Sequence, residues 1–309
     1  MRPRRPVDMS TRLGDVLLPN PVMTAAGTAG HGVELASYLD LGALGAHVVK
    51  SLSIEPWAGN PAPRVAEADA GMLNAVGLQN PGVAGWLRDD LPALRATGAR
   101  IVASIWGFRV DDYAAAAAAL APWSADLTAL EVNVSCPNVE DRRSMFGHSC
   151  DGVSAVVTAV KRVFPDRPVW AKLSPNVTDL VSIAGAALAS GADGLTLINT
   201  VMGLAIDPAT RRPKLGNGGG GLSGPAIRPV AVRAIAEVRA AHPNAVIIGV
   251  GGVANGVHAA ELLVAGADAV QVGTASFANP RAPARVLREL ESWCAAHGVA
   301  RVSELRIQR

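Results

Sequence analysis

The chain has 309 residues, half of them hydrophobic and 17% charged, with 28 basic against 26 acidic side chains and a formal net charge of +2. That length buries a core large enough to fold without disulfides or a structural metal, and the near-neutral balance lacks the clustered Lys/Arg face that nucleic-acid binding demands. With no run of about 20 apolar residues and no apolar segment behind the basic N-terminus, the chain reads as soluble and cytoplasmic.

Strands are predicted at 21–24, 46–50, 100–104, 129–134, 168–173, 194–198, 245–249 and 268–272, and helical stretches follow them, among them 82–97, 110–120, 152–163, 178–189, 228–240 and 256–265. Runs such as "AVIIGV" and "DAVQVG" are apolar throughout, as strands covered on both faces are. Strict alternation of strand and helix implies a parallel sheet. Eight such units without a linker favour an α/β fold of the (β/α)8 TIM-barrel type, one domain spanning 1–309 with long rim loops. A doubly wound open sheet would want G-x-G-x-x-G after an early strand and an acidic residue about 20 positions on, and neither is present. Two connections, 51–81 and 199–227, are too long to be idle, and both follow strands, on the rim where barrel enzymes keep their chemistry.

The C-terminal strand ends carry Ala26, Lys50–Ser51, Ser104, Asn133, Lys172, Asn199–Thr200, Gly251–Gly252 and Gly273–Thr274. A core built only for packing has no use for lysine or asparagine there, because such groups are costly to bury without partners. The "GVGGV" and "QVGTASF" segments after the last two strands suit a phosphate-bearing cofactor or substrate held by glycine N–H groups. "EVNVSCPN" sets Cys136 at the start of a rim loop, either as a base or nucleophile or as a small buried hydrophobe. Cys294 in "ESWCAAHG" fits the second description, and Cys150 leans the same way. The three cysteines cannot hold a four-thiolate cluster, their spacing gives no disulfide framework, and no metal site is expected. "GMLNAVGLQNPG" could present Asn74 and backbone N–H groups to a planar polar ligand. The glycines of "KLGNGGGGLSGPAI" serve either a hinge or a close backbone approach to a cofactor.

Taken together, "NVSCPN", "KLSPNVTD", "LINT", "GGLSGPAI" and "GVGGV" closely resemble the class 1 dihydroorotate dehydrogenases, and "GNPAPRV" with "GMLNAVGLQNPG" resemble the NAD-linked class 1B branch. The resemblance runs from about residue 13 to about residue 288. It implies one FMN per chain and oxidation of (S)-dihydroorotate to orotate in pyrimidine biosynthesis. Carried over residue by residue, Cys136 resembles the catalytic base, taking the C5 proton while the C6 hydride goes to FMN. Lys50, Asn74, Ala75, Val76, Gly77, Leu78, Asn133, Asn199 and Thr200 resemble the substrate-binding set. Ala26, Lys50, Ser51, Ser104, Asn133, Lys172, Ile198, Gly224, Gly251, Gly252, Gly273 and Thr274 resemble the cofactor-binding set, with Lys172 at the flavin pyrimidine edge. The resemblance further implies a homodimer core and a heterotetramer with a partner subunit carrying FAD and a [2Fe–2S] cluster that passes electrons to NAD+. The chain departs from the family at Ala26 and Ser104, where serine and asparagine are common, at the bulky Trp57 and Trp106, and in the 139–145 loop. A dihydropyrimidine dehydrogenase-like reductase, a flavin-free phosphate-binding lyase barrel and a non-catalytic homologue are the competing readings.

Overall fold

A computed structural model describes residues 6–135 and 146–305. Eight strands, β1 Val22–Thr24, β2 His47–Val48, β3 Ile101–Ile105, β4 Leu127–Asn133, β5 Val169–Leu173, β6 Gly194–Leu197, β7 Ile247–Val250 and β8 Ala269–Val272, form one parallel sheet in the order β1-β8-β7-β6-β5-β4-β3-β2. A bridge between Met23 and Ala46, with the Thr24 N–H donating to the Ala46 carbonyl at 3.2 Å, joins β1 to β2 and closes the sheet into a barrel. The expected (β/α)8 architecture is therefore present, each strand lying within three residues of its predicted position.

The helices are α1 Gly82–Asp89, α2 Leu91–Ala96, α3 Val110–Leu120, α4 Cys150–Val163, α5 Leu180–Ala189, α6 Arg228–Ala241, α7 Gly256–Ala265, α8 Ala275–Ala278 and α9 Ala282–Ala296. Side-chain caps fix three of their starts: Ser149, Asp179 and Asn255 accept from the N–H groups of Gly152, Ser182 and His258. Two helical expectations change. The single stretch 82–97 is two helices, because Pro92 in the first turn of α2 has no N–H and crowds the preceding turn. No helix follows β1 among the described residues; there the Glu34 carboxylate accepts from the N–H groups of His31 and Gly32 and holds a series of turns.

Inward-facing side chains alternate along each strand and stack in layers. The hairpin of Thr11–Leu13 and Val16–Leu18 plugs the floor, its Leu13 and Leu18 buried against Met23, Val102, Ala129, Trp170 and Ile248. Trp170 is fully buried, and its truncation to alanine would cost about 3–5 kcal/mol in lost contacts and cavity. One turn of the pleat higher the layer becomes polar, with Ser104, Glu131, Thr196 and Gln271 all at 0% exposure. Above it stand the residues of the rim.

The two long connections fold together. Val65–Ala68 and Gly71–Asn74 from the first, and Val201–Gly203 and Gly220–Ser223 from the second, make one four-stranded antiparallel sheet that covers part of the barrel mouth. Its centre pairs Gly221 with Asn74. A β-carbon on Gly221 would lie 2.1 Å from the Thr200 hydroxyl, and one on Gly220 would lie 2.4 Å from the Asn74 carbonyl. The glycine run thus exists for close approach of neighbouring chain segments rather than as a hinge.

Candidate active site

Between the mouth of the barrel and this cap lies a cavity of about 340 Å³. Its floor and walls hold Lys50, Ser51, Asn133, Lys172, Ile198 and Asn199 from the ends of β2, β4, β5 and β6, and its roof holds Asn74, Ala75, Val76, Gly77, Leu78 and Thr200. Every residue expected to bind substrate therefore lines one space. Ala26 joins this wall from the end of β1, and Gly273 and Thr274 from the end of β8.

Amides hold the cavity's shape. Asn199 Nδ2 donates to Asn133 Oδ1 at 3.2 Å, the Ser135 N–H donates to the same oxygen at 3.2 Å, and the Asn133 carbonyl accepts from the buried Tyr113 hydroxyl at 2.8 Å. In the roof, Asn74 Nδ2 donates to the Gly221 carbonyl at 3.2 Å. Asn80, buried in the "QNPG" turn, accepts from the N–H groups of Ser53 and Gly82 and donates to the Leu78 carbonyl, which ties the 74–78 segment to the start of its loop. The two lysines supply the charge. Lys50 runs along Gly27, and burial, followed by repulsion from Lys172, holds its ammonium below the ordinary lysine range. A desolvated cation ringed by fixed amides suits a planar anion with several donors and acceptors.

A second cavity, also about 340 Å³, adjoins the first through Val250, Gly273 and Thr274. Gly224, Gly251 and Gly252 line it with φ of +97°, +132° and +75°, a backbone region that glycine enters without strain. The Thr274 hydroxyl donates to the Ser223 hydroxyl at 2.8 Å beside the junction. Arg285, on α9, also lines this cavity; one of its guanidinium nitrogens donates to the Ala254 carbonyl at 3.0 Å, while its Nε makes no hydrogen bond and lies 3.9 Å from the Glu289 carboxylate. An annex of glycine backbone with an incompletely satisfied guanidinium suits a phosphate. The helix after β8 is a single turn, α8, so backbone N–H groups and Arg285 are the donors at this end.

Some expected residues lie elsewhere. Ser104 borders neither cavity; fully buried, it shares a 2.8 Å hydrogen bond with Ser51 and backs the wall from beneath. Trp57 and Trp106 also stay out of both cavities and pack edge-to-face with Phe108, ring centroids 4.8–6.2 Å apart. Cys136 and the 139–145 loop lie outside the described residues. Sequence reasoning missed Arg285, which belongs to no motif, and the polar layer of Glu131, Thr196 and Gln271. The signal for that layer was the period of two: Glu131 shares a strand face with Asn133.

The chain matches the family model "Dihydroorotate dehydrogenase" over residues 9–293. It is 46% identical over 297 residues to the "Dihydroorotate dehydrogenase B (NAD(+)), catalytic subunit" of Trichlorobacter lovleyi, covering 96% of this chain and 97% of that one. It is 47% identical over 298 residues to the protein of the same name from Geobacter sp. strain M21, at the same coverage. A Solibacter usitatus chain named for the fumarate-linked dihydroorotate dehydrogenase A is 46% identical over 297 residues, again covering 96% and 97%. With its barrel, its two joined cavities and a match along nearly its whole length, the chain belongs to the dihydroorotate dehydrogenase family.

Proposed function

We propose that this chain is the FMN-bearing catalytic subunit of an NAD-linked dihydroorotate dehydrogenase, oxidising (S)-dihydroorotate to orotate in pyrimidine biosynthesis. The observation that carries the reading is the convergence of Lys50, Asn74, Asn133, Asn199 and Thr200 on one cavity that opens into a glycine-walled annex. The residues present fit FMN: Lys172 and Ser51 flank the larger space for the ring system, and Gly251, Gly252, Gly273 and Arg285 surround the smaller one for the phosphate. Bound there, FMN supplies the two-electron acceptor for the C6 hydride.

The chain's own residues do the rest. Lys50 meets the substrate carboxylate, and the amides of Asn74, Asn133 and Asn199 hold the ring in one orientation, so that little freedom remains to be lost at the reacting carbons. Cys136, three residues after Asn133, takes the C5 proton as its thiolate. Lys172 presents an ammonium where negative charge grows during reduction. The roof segment 74–78 and the cap sheet keep bulk water from the ring.

Electrons then leave to NAD+ through a partner subunit carrying FAD and a [2Fe–2S] cluster, in keeping with the words "NAD(+)" and "catalytic subunit" in the relatives' names. Val65, Met202 and Phe277, each more than half exposed beside the cavity, give that partner an apolar surface to meet. The chain's single domain and a homodimeric core complete the proposal. The test is twofold. Flavin released from the purified protein by denaturation is expected to be FMN, and orotate is expected to accumulate when dihydroorotate and a dye acceptor are added. A colourless protein, or one that turns over dihydropyrimidines lacking the carboxylate equally well, would refute the assignment. Reduction of NAD+ only after the partner is added would establish the route to NAD+.

A further inference from the structure

Beneath the cavity floor, the Glu131 carboxylate is held at 0% exposure by four side chains from four different strands. Gln271 Nε2 and the Thr196 hydroxyl donate to Oε2 at 2.9 and 3.1 Å. The Ser104 hydroxyl lies 3.4 Å from Oε1, and Lys172 Nζ lies 3.7 Å from the same oxygen. The Lys172 ammonium can only donate, Gln271 turns the NH2 end of its amide to the carboxylate, and the Thr196 and Ser104 hydroxyls donate to it, so each carboxylate oxygen faces donors. A buried carboxylate needs such partners to be tolerated at all. Their arrangement has a direction: the two closest neutral donors meet Oε2, and Oε1, with only the longer Ser104 contact, is turned toward the Lys172 ammonium of the cavity floor.

We propose that Glu131 is a positioning residue for Lys172, fixing the ammonium beneath the flavin and offsetting part of its charge. This rests on the reading of the cavity as a flavin site. Lys172 has three donors. With one turned down toward Oε1, the others are left to face the cavity that Lys172 lines. Lys50 and Lys172 are the charged side chains that line this cavity and they repel each other, and Glu131 lies beneath Lys172. The carboxylate turns two cations under a shared ligand into a set with one net positive charge. Ser104 links the arrangement to the wall through its 2.8 Å contact with Ser51. The flavin would therefore meet a cation backed by an anion, which favours the anionic reduced ring less than a bare ammonium does.

The experiment is an anaerobic redox titration of the flavin-loaded protein at pH 6, wild type against Glu131→Gln, with a reference dye. Loss of the carboxylate is expected to favour the reduced flavin at least tenfold, which for a two-electron couple is about 30 mV toward positive potential. Glu131→Asp, which keeps the charge but withdraws it by one methylene, is expected to move the potential in the same direction by less, and it serves if the glutamine variant does not fold. A potential unchanged or lowered in either folded variant would overturn the proposal. Wild-type protein that binds no flavin would instead overturn the function on which it rests, so the two failures are distinguishable.

Discussion

His47 lies in β2, the two-residue strand that closes the barrel against β1 and ends near Lys50. Its ring is fully buried, with Nδ1 3.4 Å from the Thr24 hydroxyl and Nε2 without a partner, and burial pushes its pKa down from 6.5 to about 4. Because the folded value lies below the unfolded one, the folded state resists protonation where the unfolded state accepts it. The stability at stake is fully present above pH 6.5 and is lost as pH falls from 6.5 toward 4. At roughly 1.4 kcal/mol per tenfold change in proton affinity, the loss amounts to about 3 kcal/mol. The perturbation is His47→Gln, which removes the titration, and the assay is urea unfolding of both proteins at pH 7.5 and pH 4.5. Contributions from carboxylates cancel when the two proteins are compared. Wild type is expected to lose about 2–3 kcal/mol more than the variant between the two pH values. Parallel losses, within about 0.5 kcal/mol of each other, would refute the idea that a neutral buried imidazole holds this seam.

Other outcomes follow from the same geometry. Lys50→Gln is expected to weaken orotate binding about ten- to a hundredfold, the worth of one charge-assisted hydrogen bond, read from the ligand-induced change in the flavin spectrum. Gly221→Ala would drive a methyl into Thr200, whose hydroxyl lies 2.1 Å from the position of that carbon; an increase in KM for dihydroorotate of about tenfold, the scale of one lost hydrogen bond, is expected. Cys294 is fully buried, and burial pushes its thiol up to about 11. It is therefore expected to resist N-ethylmaleimide at pH 8 in the native protein and to react once urea unfolds it, as read by peptide mass spectrometry.

The barrel was legible because its strands are short apolar runs separated by helices with their own caps, so local pattern and topology agree. The strand-end residues were legible for a related reason: Lys50, Asn133 and Lys172 are polar side chains at the ends of otherwise apolar strands. The cap sheet was not legible. Its pairing of Gly221 with Asn74 joins residues 147 positions apart, and nothing local to either segment encodes the other. Ser104 was expected at the cofactor but is buried behind Ser51 and lines neither cavity, since which layer a strand-end residue reaches depends on stagger around the barrel. Gln271 was hidden inside "DAVQVG", where one polar residue in an apolar run reads as noise until its partner Glu131 is found 140 positions away. Arg285 belongs to a helix whose pattern speaks only of packing against the barrel, and its role at the second cavity depends on where α9 begins.

The most direct measurement is an anaerobic absorbance titration of the purified chain with (S)-dihydroorotate. One equivalent is expected to bleach the flavin bands fully and to release one equivalent of orotate, because the proposed function assigns both substrate and cofactor to cavities of this one chain. Flavin bands that persist in excess dihydroorotate would contradict the central claim and assign the cavity around Lys50 and Asn133 to a different substrate.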